Sequence, residues 1–346
     1  MGRFLWYLIP ALEKKHPDIT RNRALDTYGP GSAKVMPFWF ALTFFRLIWE
    51  ILLRRVDFVH IHMASYGSVL RKGILIVTAR LLGCPVIIHM HGGEFPAFIE
   101  MLPSWAHRLL IRVLNLAQRI VVLGNFWKEF LIEQLEIRRE KIVVIHNGVP
   151  ASDSPAVLER FNDSPTLLFL GRVEEPKGVP ELINALARPE VRALRWNAII
   201  AGEGDLERYR RSVDSAGLSH RIDFPGWVDH SDALAMLRQS DIFVLPSHYE
   251  CFSIAVLEAM SSGAAVITTP VGALPDAIKH EETGLLVPPR DEVALASAIV
   301  RLVSDAEIRR RLAKAAQDRF YAQFTIDKTA DRMAALYREL SAEKVL

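Results

Sequence analysis

Cysteine is scarce in this chain: Cys84 and Cys251 are the only two in 346 residues. Two thiols so far apart build neither a disulfide framework nor a zinc ribbon, so a reducing cytoplasm is the expected compartment. No Asp-x-Asp occurs anywhere. No secretory leader is evident, because Met1–Pro10 lacks a long apolar core followed by a small-residue cleavage site. Long hydrophobic runs are also missing. The longest, Met36 to Leu53, is interrupted by Arg46 and Glu50, which argues against a membrane span. There is no low-complexity segment, no short repeat, and no homeodomain, finger or RNA-binding signature, so nucleic acid is not an expected partner.

What remains is a globular composition, 50% hydrophobic and 24% charged, long enough for two cores. The net charge of +2 is unevenly spread. Residues 1–150 hold 19 Lys and Arg against 11 Asp and Glu, a balance of +8, and residues 151–346 hold 23 against 29, or −6. A basic first half suggests an anionic partner there.

Strand and helix signals alternate throughout. The first half predicts strands at Asp57–His62, Pro85–His91, Arg119–Leu123 and Lys141–Ile145, with helices at 4–12, Leu70–Leu82, Ala106–Ala117 and Trp127–Leu135. Arg23–Thr27 reads as a further strand. Ala151–Pro165 has a linker composition. The second series predicts strands at Thr166–Leu170, Trp196–Ala201, Ile222–Phe224, Asp241–Leu245 and Ala264–Thr268. Its helices fall at Val179–Ala187, Asp205–Ala216, His230–Gln239 and Glu292–Val303. Phe320–Leu340 shows helical spacing. Such alternation means parallel sheets with helices on their faces, an α/β chain of two doubly wound, Rossmann-like domains.

The most informative stretch runs from Leu245 to Gly263 and carries Glu250 and Glu258. Ile242–Leu245 is a short buried strand and Pro246–Phe252 a loop. Ser253 is an N-cap and Gly263 a C′ stop. The helix between them is apolar almost all round, so it is buried. A carboxylate inside it, Glu258, is costly unless satisfied. A Lys or Arg partner would do that, and so would ligand hydroxyls. The helix N-terminus favours an anion where α/β sheets bind ligands.

With Pro-Ser before it and Glu-Ala-Met-Ser-Ser-Gly after it, this Glu-x7-Glu run resembles the retaining, nucleotide-sugar-dependent glycosyltransferases of family 4 (group 1), of the bacterial polysaccharide-biosynthesis type. That resemblance implies the GT-B fold: a domain over 1–150, a nucleotide-sugar-binding domain over 163–320 with a cleft between, and a helix over 321–346 returning to the first. It assigns Glu258 to ribose hydroxyls, Glu250 to the donor sugar, and Ser253 and Ile254 to the diphosphate. The relatives open with a strand and a Gly-rich loop before the first helix. Here that first strand is missing, so the start is expected to be truncated or mis-assigned, which bears on activity.

Leu170 to Gly178 resembles the family's Gly-Arg…Lys-Gly element. Gly171 lets backbone approach a ligand, Arg172 can fork onto phosphate oxygens, and Lys177 adds a point charge. A surface turn with solvated charges is the plainer alternative. The basic pair would replace a divalent metal, so no metal and no cofactor beyond the nucleotide-sugar co-substrate is expected. His91, ending the strand with His89, resembles the family's cleft histidine that contacts the transferred sugar. His60 and His62 end the neighbouring strand, so a four-histidine metal site is conceivable, but such a set without a carboxylate is uncommon. Gly202 in Gly202-Glu203-Gly204, and Trp227 with Val228, fall near the expected nucleotide base. In Val271–Pro275, Ala273 departs from a commoner Gly-Gly pair.

The aromatic, basic stretch Met36–Arg55 is expected to pack mostly on the first sheet, with a Trp/Phe rim that would let the first domain touch anionic membranes. The reading is hexose transfer with retention to a hydroxyl of a glycan or polyprenyl-diphosphate-linked acceptor, in the cytoplasm, at the inner face of the plasma membrane where lipid is involved. A nucleotide-sugar epimerase, a phosphorylase and a non-catalytic nucleotide-sugar-binding remnant stay open as alternatives.

Overall fold

The computed structural model describes residues 2–19, 24–29, 34–152 and 164–343. Most of the expected linker, residues 153–163, lies outside them, as does Arg23; the described remainder of the Arg23–Thr27 stretch pairs with no strand. The chain divides into two compact units. Residues through Asn147 group with those from Asp327 onward, and Gly148–Ile326 form the other.

The first unit is built on four parallel strands in the order β1-β2-β3-β4: Val59–Met63, Val86–Met90, Arg119–Val122 and Ile142–Val144. These runs are rich in Val and Ile, as a sheet covered on both faces requires. β2 is buried at all five positions, so His89 in it is buried too. The helices Gly67–Leu81, Ser104–Asn115 and Asn125–Leu135 connect successive strands. A helix absent from the sequence reading, Phe95–Glu100, precedes Ser104–Asn115.

The second unit holds six parallel strands in the order β10-β9-β8-β5-β6-β7. They are β5 Thr166–Leu170, β6 Asn197–Ala201, β7 Ile222–Gly226, β8 Ile242–Leu245, β9 Ala265–Thr268 and β10 Leu285–Leu286. The chain winds outward from β5 to β7, then returns to place β8 on the other side of β5. The switch point between β5 and β8 is where a doubly wound sheet opens a ligand crevice at its carboxyl edge.

The tail is not the single helix over Phe320–Leu340 that its spacing predicts. Helix Ala306–Gln323 stops, and Ile326–Glu343 starts anew. Between them Thr325 makes a parallel bridge with Val149: Val149 N–H donates to Phe324 O at 3.2 Å and Ile326 N–H to Val149 O at 2.9 Å. Pairing with a distant strand-like residue overrides a helical pattern that is locally continuous.

Candidate active site

The expected phosphate and ribose residues, and Glu250 of the two expected sugar residues, gather at the carboxyl edge of the second sheet. Backbone bonds lace the loops there. Gly171 N–H donates to Ala201 O at 3.1 Å, Val173 N–H to Glu203 O at 2.7 Å and Gly202 N–H to Gly226 O at 2.8 Å. Gly202 has φ +145°, and a Cβ on it would stand 1.7 Å from Gly171 O, so the loops after β5 and β6 meet only because residue 202 has no side chain.

The loop after β8 is held as firmly. His248 N–H donates to Pro176 O at 2.9 Å. Its ring nitrogen Nε2 lies 2.9 Å from Glu181 Oε1, at the start of helix Val179–Ala187. Thr269 Oγ1 donates to Ser247 O at 2.6 Å. Gly272, at φ +55°, lies under Glu250, where a Cβ would sit 1.9 Å from its carbonyl oxygen. Ala273 N–H donates to Cys251 O at 3.0 Å, so that amide is used inside the protein and the turn supports the Glu250 loop from below.

On this frame Lys177 Nζ approaches Glu250 Oε1 to 2.7 Å, and Ser247 Oγ donates to the same oxygen at 3.0 Å. Arg172 is mostly exposed and pairs with Glu174 at 3.0 Å. Helix Ile254–Ser262 follows. Ser253 caps it, its Oγ accepting from Val256 N–H at 3.4 Å, and Gly263 ends it at φ +76°. The amides of Ile254 and Ala255 point out of that N-terminus, which carries partial positive charge.

Glu258 is 2% exposed in the middle of this helix. His230 stands within ion-pair distance of it, its Nδ1 4.0 Å from Oε1. His230 opens a helix, His230–Gln239, capped by Asp229. Just before it, Trp227 projects an exposed indole beyond β7, with Val228 half-buried beside it.

His91 belongs to the first unit. It follows β2, and its N–H donates to Met63 O at 2.8 Å. His62 Nδ1 lies 2.8 Å from His91 Nε2, so one imidazole holds the other and fixes which nitrogen is free. Burial lowers the pKa of His62, His89 and His91 well below the ordinary value, and that of His60 to about 3, so all four rings are neutral near pH 7. Ring nitrogens of His60, His62 and His89 lie within 4.8 Å of one another. The rings are nearly parallel, however, with interplanar angles of 26°, 7° and 32°. Their in-plane lone pairs run side by side, and His60 Nδ1 is already 2.7 Å from Tyr337 Oη. This geometry suits a packed neutral stack better than ligands converging on one ion.

Sequence reasoning missed Ser247, His248, Glu181 and Thr269 as supports of the second unit's site, whereas His62 was expected to pack or hydrogen-bond, and it does so with His91. The signal for His62 was present in the His-x-His of β1, which sets both rings on one sheet face. The others act across the fold and leave no local pattern.

Two family profiles match the chain. One, described as Glycosyltransferase Family 4, covers residues 3–153, and the other, Glycosyl transferases group 1, covers residues 151–319. The chain belongs to the group 1, family 4 glycosyltransferases. The two parallel sheets are the Rossmann-like domains of the GT-B fold, and the likeness to HepE of Anabaena, solved with UDP, agrees: TM-score 0.74 at 19% identity, over 97% of this chain and 96% of that one. A glycogen synthase of Mycobacterium tuberculosis is 36% identical over 57% of this chain. The chain spans about half, 48%, of that relative's length. An Escherichia coli UDP-Gal:α-D-GlcNAc-diphosphoundecaprenol α-1,3-galactosyltransferase is 28% identical over 84% of this chain and 77% of its own.

Proposed function

We propose that this family 4 glycosyltransferase moves a hexose from a nucleotide diphosphate-sugar to a hydroxyl acceptor, with retention at the anomeric carbon and without a divalent metal. The observation that carries the reading is the meeting of Lys177, Glu250 and the Ile254–Ser262 helix N-terminus at one switch point. Cation, carboxylate and free amides there match the phosphates and hydroxyls of one donor molecule.

In this reading the diphosphate lies against Gly171, Arg172, Lys177, Ser253 and Ile254, ribose against Glu258, the base by Gly202, Trp227 and Val228, and the donor sugar against Glu250; His91, in the first unit, keeps the sugar-contact role that the family resemblance gives it. The bond from the anomeric carbon to the phosphate oxygen breaks, and the acceptor oxygen bonds to that carbon on the same face. The acceptor's proton passes to the departing phosphate oxygen. Arg172, Lys177 and the helix amides stabilise the charge that grows on the diphosphate. The E. coli relative's name supports a polyprenyl-diphosphate-linked acceptor, and surface polysaccharide assembly is the pathway we propose for it here. With such an acceptor the chain would work in the cytoplasm, in peripheral contact with the anionic inner face of the plasma membrane. Among the described residues no helix is long and apolar enough to cross a membrane.

A thermal-shift screen against UDP, GDP and ADP sugars, followed by product analysis with prenyl-linked acceptors in EDTA, tests this. Stabilisation by a nucleotide sugar and an α product from an α donor are expected. Loss of turnover with chelator and its return with magnesium or manganese would overturn the metal-free mechanism. An inverted product would overturn retention, and epimerised donor without acceptor would identify an epimerase.

A further inference from the structure

The helix Met36–Leu52 carries more apolar surface than it buries. It buries Thr43, Leu47, Glu50 and Ile51 and turns Phe38, Leu42, Phe45, Trp49 and Leu52 to solvent; Phe45 is 67% exposed and Trp49 61%. The spacing of the exposed five, four and three residues by turns, is a continuous helical stripe. This helix packs against Gly67–Leu81, which packs against Ser104–Asn115. Each neighbour also turns apolar side chains outward: Leu70, Ile74 and Leu81 are exposed on one, Trp105 and Leu109 on the other, with Leu81 at 82% and Trp105 at 66%. Water-facing apolar side chains scattered singly need no explanation, but three adjacent stripes do.

We propose that this three-helix face of the first unit is a membrane-docking surface whose occupant is the interfacial region of an anionic lipid bilayer. Charge decides for that occupant over a second apolar protein surface. The three helices contain a single acidic residue, Glu50, and it is buried. Arg46, Arg108 and Arg112 are exposed among the apolar stripes, and Arg54 and Arg55 follow the first helix, also exposed. Tryptophan and phenylalanine beside arginine suit the headgroup boundary, where an apolar body and a charged head are both accommodated. The proposal deepens the peripheral location inferred above and rests on surface residues alone, so it can fail while donor binding survives.

The test is sedimentation of the full chain with vesicles of phosphatidylcholine, with and without phosphatidylglycerol, across a salt series. Binding should need the anionic lipid and weaken with salt. The pair Arg108→Ala and Arg112→Ala should lower partitioning about 30-fold, and Phe45→Ser with Trp49→Ser at least ~10-fold. Neither pair should alter the thermal shift given by UDP, because these side chains are exposed and lie outside the donor site. No binding to any vesicle, binding indifferent to lipid charge and salt, or variants that bind like the wild type would each overturn the proposal. So would a concentration-dependent dimer that Phe45→Ser with Trp49→Ser abolishes.

Discussion

Acid should unfold the first unit by way of its histidine stack, and His89→Leu should blunt that effect. In the folded chain His89 is fully buried, and neither ring nitrogen has a hydrogen-bond partner among the described residues. It stands edge-on to Phe4 at 5.4 Å between ring centres and stacks on His91 at 4.2 Å. Desolvation holds all four histidines of the stack below the ordinary value near 6.5, His60 at about 3. In the unfolded chain each titrates near 6.5. Below that pH the unfolded state binds more protons, so stability is full above 6.5 and falls as pH drops toward each folded value. One such histidine costs about 1.4 kcal/mol per pH unit in this window. At pH 5.5 four of them cost ~6 kcal/mol, a large part of a domain's stability of about 5–15 kcal/mol. His89→Leu removes one proton-binding site from the slope, and it also removes two buried nitrogens without partners, worth about 1–3 kcal/mol. The variant should therefore be at least as stable as the wild type at pH 7.5, and gain a further ~1.4 kcal/mol on it by pH 5.5. Amide exchange of β1 and β2 peptides, followed from pH 7.5 to 5.5, reads the first unit alone. Equal pH slopes for the two proteins, or a large loss at pH 7.5, would refute the reasoning.

Three further outcomes concern the second unit. Arg172→Ala should weaken UDP or GDP by roughly 10- to 100-fold while leaving nucleoside affinity nearly unchanged, since a charge-assisted phosphate contact contributes about 1.5–3 kcal/mol; calorimetry that finds equal losses for both ligands would count against the phosphate assignment. Gly202→Ala places a methyl 1.7 Å from Gly171 O, so donor binding should be lost and the melting temperature lowered; a variant with normal UDP affinity would show that the two loops need not touch. In a double-mutant cycle for donor binding, Lys177→Ala and Glu250→Gln should couple by at least about 0.5 kcal/mol, and additive losses would mean that their 2.7 Å contact does not organise the site.

The sequence disclosed those parts of the structure whose causes are local. Ser253 and Gly263 bound a helix through cap chemistry that needs only nearby residues, and the helix falls where they put it, Ile254–Ser262. Glu258 stood out because a carboxylate in an apolar helix demands a reason. Asp229 and Asp305 cap helices in the same local manner, but the helix after Asp305 was missed because its polar surface offers weak periodicity. Contacts between distant residues were not legible. His248 and Glu181 are 67 positions apart, and Thr269 supports Ser247 from 22 positions away. The Met36–Leu52 helix shows a further limit. Its residues are apolar on nearly every side, so spacing alone cannot say which side faces the core. The buried side is mixed, with Thr43, Leu47, Glu50 and Ile51, and the Thr43 hydroxyl donates there to Asp26 O at 2.5 Å, a contact that no local spacing announces.

The pairing within the donor site bears on how a ligand enters it. A lysine ammonium carries three N–H donors, and Glu250 Oε1 occupies one of Lys177's. A phosphate oxygen can take another without breaking that contact. In the proposed donor site Glu250 would then act twice: Oε1 would hold Lys177 toward the diphosphate, and the carboxylate would offer its second oxygen to a sugar hydroxyl. The contact also explains the support beneath the loop. If Glu250 drifted, both the cation and the sugar contact would move together. Its backbone is therefore fixed by Gly272 against its carbonyl, and its carboxylate by Ser247, whose own carbonyl is held by Thr269. Charges set in place before the ligand arrives need little reorganisation as the diphosphate departs. By this argument substitutions at Gly272, Ser247 and Thr269, none of which carries charge, are expected to lower turnover through the position of Glu250.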